Sequence, residues 1–185
     1  MKSLLFVVLV AIIMGKPVSA DETKPNSTFM PKMRARVLAL QADEIGVNKK
    51  VFPQEVWGVL MDTSFQDGDA YSLVVLADGS TSVYTSGASF IGAGQHTQVR
   101  NASTNFLTVA NHYLSSAKAV TSYPLPPAGQ VAFYFLSYGG VFSYSAPEEK
   151  LGDGKDKLSK LFYAAQQVIA EVRKIEKSRH KTSHK

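Results

Sequence analysis

The residues in this chain best placed to do chemistry lie in one short stretch. Gly92 and Gly94 allow a backbone to approach a ligand closely, and His96, Thr97 and Arg100 stand where a helix-forming run begins. A helix N-terminus offers unpaired N–H groups and a partial positive charge, so the stretch has the parts of a site for an anionic group. The segment Gly87–His96 matches neither the dinucleotide-binding G-x-G-x-x-G pattern nor the phosphate loop that ends in Gly-Lys-Ser/Thr. It suits better a glycine-rich turn that packs a strand against a helix and leaves Arg100 in solvent.

Other reactive residue types lack partners at a useful spacing. Asp62, Asp67, Asp69 and Asp78 fall near strand ends, where paired carboxylates could move protons or hold calcium. Asp67 and Asp78 are each followed by glycine, which explains them as turn residues. Asp153, Gly154 and Asp156 resemble part of a calcium loop without its closing glutamate, and Asp156 suits a helix cap better. His96 and His112 lie far apart with no carboxylate beside either, and His180 and His184 belong to a basic chain end, so no metal set is expected. No G-x-S-x-G elbow occurs. The absence of cysteine excludes a thiol nucleophile, a disulfide framework and a cysteine-ligated metal. The reading is therefore of no catalytic residues, no metal and no cofactor. Trp57, the only tryptophan, reads as a core or sheet-rim residue and is the one candidate for a protein-binding hot spot. Asn26 and Asn101 fit the N-glycosylation pattern, but Asn101 falls within an expected helix.

The elements that position these residues follow from hydrophobic period and turn chemistry. Met33, Val37, Leu40 and Ile45 recur at helical spacing and stop at Gly46. Residues 56–65, 71–77 and 81–86 read as three strands. The Asp67-Gly68 and Asp78-Gly79 turns between them make a meander. Thr97 is the expected N-cap of a second helix, whose stripe is Val99, Ala102, Phe106, Ala110, Tyr113 and Ala117. Tyr123-Pro-Leu-Pro-Pro-Ala-Gly129 makes a stiff connector. Residues 131–136 form a central strand, Gly139-Gly140 a turn and residues 141–145 its return. The last helix buries Leu158, Leu161, Ala165, Val168, Val172 and Ile175. The expectation is an α+β fold in the order α-β-β-β-α-β-β-α, a five-stranded antiparallel sheet (a meander of three plus a hairpin) with three helices.

Lys2, the apolar run Leu4–Met14, Gly15, Pro17 and Val18-Ser19-Ala20 follow the pattern of a secretory signal peptide over residues 1–20. The run is shorter than the about 20 apolar residues a bilayer span needs. Residues 21–31 read as a flexible lead-in, 32–177 as a single domain and 178–185 as a basic disordered tail. The net charge is +5 including Lys2 and Lys16, which leave with the leader. Much of the rest sits in Arg173, Lys174, Lys177, Arg179, Lys181 and Lys185. No aromatic residue interrupts that run, so nucleic acid is not an expected partner. Without an N-terminal cysteine for a lipid anchor, the mature chain is expected to be free. The lack of disulfides points to a bacterial periplasmic or secreted protein.

The element order resembles the profilin-like folds, which include the roadblock and longin domains, although the middle helix follows the second strand there and the third here. Val56-Trp57-Gly58 with Met61-Asp62, Ala77-Asp78-Gly79, and Gly94 and His96 before Val99-Arg100 is similar to a loose set of uncharacterised bacterial proteins. The resemblance implies a fold and no activity. The functional expectation is an exported protein-binding module without catalysis, such as an envelope scaffold or an immunity-type inhibitor of a toxin. The alternative is a small anionic-ligand binder or enzyme that uses residues 92–100.

Overall fold

The structure, a computed structural model, describes residues 29–85 and 89–182. The expected signal peptide, most of the lead-in, Ser86–Ala88 and residues 183–185 lie outside the described residues.

Seven strands form one antiparallel sheet: β1 (Val56–Ser64), β2 (Ala70–Leu76), β3 (Thr81–Thr85), β4 (Ser89–Phe90), β5 (Lys118–Ala119), β6 (Gln130–Ser137) and β7 (Gly140–Pro147). Their order across the sheet is β4-β3-β2-β1-β6-β7-β5. Four α-helices accompany them: α1 (Phe29–Leu38), α2 (Thr97–Tyr113), α3 (Glu148–Gly152) and α4 (Ser159–Thr182). The α+β class is as expected, but the count of five strands and three helices is corrected to seven and four. The additions β4 and β5 are two residues long, too short to show a period, and become strands only by pairing with β3 and β7. The third addition, α3, is a five-residue helix in the loop before the last helix, with Glu148 and Glu149 at its positive end.

Two boundaries also move. The first helix covers Phe29–Leu38, which includes residues of the expected lead-in, and buries Met30, Arg34, Val37 and Leu38. A 3-10 turn at Ala42–Ile45 follows and ends at Gly46 in the left-handed region, φ 73°. The last helix runs to Thr182, into the stretch expected to be a disordered tail. Residues 178–182 of that stretch, SRHKT, contain no glycine or proline to stop it.

The three central strands β2, β1 and β6 are buried on both faces. Val59, Met61, Leu73, Val75, Phe133 and Phe135 pack on one face, beneath α2 and α4. Trp57, Leu60, Val74, Leu76, Tyr134 and Leu136 pack on the other, beneath α1. A register shift between Val56 and Gly58 inverts the alternation along β1, so Trp57 joins the layer of Leu60 and Val56 that of Val59. Gly58 makes that possible, since a Cβ there would lie 2.7 Å from Leu76 Cδ2. Both outer strands are two residues long, and β4 pairs with Val83 and Tyr84 of β3 and β5 with Phe142 and Ser143 of β7.

Candidate functional site

The glycine-rich loop is built as a helix entry. Gly92 adopts φ 76°, Ala93–Gln95 form a 3-10 turn, and α2 starts at Thr97. The cap position is His96 rather than Thr97, and its side chain makes no capping hydrogen bond; Thr97 is the first helical residue and is exposed. Gly94 is buried, and a Cβ on it would overlap the carbonyl oxygen of Gly79 in the β2–β3 turn. Glycine at 94 is thus required by packing of backbone on backbone. Arg100 Nε donates to Gly94 O at 3.2 Å and ties the helix back to the loop. Gly92, Gly94 and Arg100 line one surface depression of about 570 Å³, together with Asp78. His96 and Thr97 are not among its lining residues. The Asp78 carboxylate, which accepts from Ser80 N at 2.8 Å and Ser80 Oγ at 2.9 Å, adds negative charge where an anion would sit.

The other candidates separate. Trp57 is 3% exposed and belongs to the core beneath α1. Asp67 accepts from Asp69 N within its turn. Asp156 accepts from Leu158 N at 2.8 Å at the start of α4 and from the Tyr144 hydroxyl at 2.9 Å. His112 bonds Thr108 O within its own helix. No group of three or more potential metal ligands occurs among the described residues.

Asp62 has a role that spacing did not reveal. It is fully buried, accepts from Arg34 Nε at 2.7 Å and from Ser72 Oγ at 2.5 Å, and so joins α1 to β1 and β2. Burial pushes its carboxyl above the ordinary range, with Arg34 and Ser72 pulling it back. Arg34 also donates to Pro124 O at 3.2 Å and lies over the Tyr134 ring.

The feature that sequence reasoning missed is a groove of about 460 Å³ between the β1–β4 corner of the sheet and α4. Its apolar wall is Phe65, Tyr71, Val83, Phe90, Ile169 and Val172, and Asp69, Arg173 and Glu176 are among its remaining lining residues. The Phe65 and Tyr71 rings meet at 5.7 Å, and Gln166 Nε2 donates to Tyr71 Oη at 3.1 Å. Burial raises the Tyr71 phenol above its ordinary pKa. Only two traces of the groove exist in the sequence: an aromatic residue, Phe65, immediately before a turn, and charged residues entering the lining face of α4 at Arg173 and Glu176.

No family model, curated protein or solved structure matches the chain. Among the described residues, no helix is long and apolar enough to cross a membrane.

Proposed function

We propose that the chain is an exported, non-catalytic module that binds another protein, and that the groove beside α4 receives an apolar side chain of that partner. An envelope scaffold or an immunity-type inhibitor works in this way. The observation that carries the reading is the groove's composition: six large apolar side chains together with charges of both signs, of which Asp69 and Arg173 are exposed. An apolar centre within a polar rim is the anatomy of a protein interface, and binding energy concentrates in such recesses. Phe65 is 37% exposed at the groove, so a partner can reach it. Export rests on the leader pattern of residues 1–20.

The test is recovery of a partner from envelope extract after cross-linking, with the wild type and Phe65→Asp. A partner recovered by the wild type and reduced about tenfold by the substitution supports the reading. Recovery of nothing, or equal recovery by both, overturns it. A second reading, an anionic ligand at the loop, has one support: Gly92, Gly94 and Arg100 line a common depression. It requires an anionic metabolite that raises the melting temperature of the wild type and not of Arg100→Ala.

A further inference from the structure

The connector Tyr123–Gly129 has a property that its linking role does not need. Pro124, Pro126 and Pro127 have φ fixed near −65°. Tyr123, Leu125 and Pro126 each precede a proline and are confined to extended backbone. The five residues Tyr123–Pro127 are therefore held in or near polyproline II geometry before any contact is made.

Burial along the segment agrees. Val120, Tyr123 and Gly129 are half-buried and Pro126 is buried, while residues 121, 122, 124, 125, 127 and 128 are exposed. Within the proline run the inward residues Tyr123 and Pro126 are three apart, as in a helix with three residues per turn, and Gly129, at φ 73°, turns the chain out of that geometry. The inward edge is anchored: the Tyr123 ring meets Tyr134 edge-on at 5.8 Å, and Pro124 O accepts from Tyr134 Oη at 2.5 Å and from Arg34. Val120 N donates to Val141 O and Gly129 N to Ser64 O, which fastens both ends.

The two outward edges carry Pro124 with Leu125 and, one turn on, Pro127 with Ala128. Leu125 is 44% exposed, one of the few large apolar side chains in solvent among the described residues. The repeat of proline plus apolar neighbour is spaced by about 9 Å, three residues at the polyproline II rise. Rigid segments of this kind are read by aromatic-lined grooves that take successive proline pairs. Residues 120–129 carry no charge.

We infer that this strap is a ligand for a partner domain with an aromatic, polyproline-reading groove, and that its anchoring to the sheet pre-pays the ordering of the bound form. The inference rests on the protein-binding reading above and uses a different surface. Because the contact is apolar, binding is insensitive to salt.

The test is binding of the full chain to an array of purified domains of the Src-homology-three and WW types. At least one domain is expected to bind, about tenfold more weakly to Leu125→Asp and to Pro127→Ala, and equally to Val51→Ala. Thermal melts of each variant establish that it is folded. No binding by any domain, equal binding by folded strap variants, or loss of binding in salt overturns the inference. Phe65→Asp separates the two proposals. If the envelope partner depends on Phe65 but no domain binds the strap, only the strap inference fails. If the strap binds domains while no envelope partner depends on Phe65, only the groove reading fails.

Discussion

Arg34 and Asp62 are the described residues whose loss the fold tolerates least for electrostatic reasons. Their side chains are 11% and 0% exposed. Removing one partner of such a pair leaves a buried charge uncompensated, a loss of about 3–5 kcal/mol. Asp62→Ala is therefore expected to lower the unfolding free energy by that amount in denaturant titration. The double change Arg34→Met with Asp62→Leu is expected to recover most of it, since apolar replacement of a whole buried pair is often neutral. Gly94 is constrained differently. A methyl group there meets backbone, which cannot rotate away, so Gly94→Ala is expected to cost about 3 kcal/mol, at the upper end of overpacking losses. Gly92→Ala meets only the flexible end of Gln95, at 3.7 Å, and carries a backbone strain instead. The glycines of this loop were legible in the sequence as special, but not the reason: the constraint on Gly94 comes from Gly79 in a different turn. The partners of Asp62 were illegible for the same cause, because Arg34 and Ser72 reach it from other elements.

Among the elements, β1, β2 and β6 were readable from their apolar runs, and β3 and β7 because a glycine turn at Gly79 or Gly139-Gly140 returns the chain from one of those runs. The two shortest strands and α3 were not, since two to five residues carry no period. The groove required knowing that α4 lies over the corner formed by β1 to β4. No local signal encodes that placement. The turn that leads into α4 is secured by Asp156, which accepts from Leu158 N and from the Tyr144 hydroxyl. Burial, reinforced by Asp156, raises the Tyr144 phenol to about 12. A group whose folded pKa exceeds its unfolded value contributes stability that is complete below the unfolded pKa, near 10, and is lost as pH rises through the folded one. Stability is thus expected to fall between about pH 10 and 12, and less steeply in Tyr144→Phe. Melting temperatures across that range test it.

At the scale of the molecule, one sheet serves two cores. Leu60 and Met61 are adjacent in β1, both fully buried, and face opposite layers. Either residue changed to alanine is expected to cost about 2–5 kcal/mol, as for an ordinary core position, measurable by urea unfolding. A strand with only one buried face would show the loss at one of the two. The position of β1 has a temporal side as well. Its neighbours are β2, made soon after it, and β6, which belongs to the last third of the chain. Until β6 has been made, β1 is an open edge nine residues long and apolar on both sides. Such an edge is a template for self-association. A chain stopped before Gln130 is therefore expected to aggregate, seen as light scattering where the whole chain stays clear. The nascent protein must be kept from closing on itself or on its neighbours until β6, which ends at Ser137, has emerged.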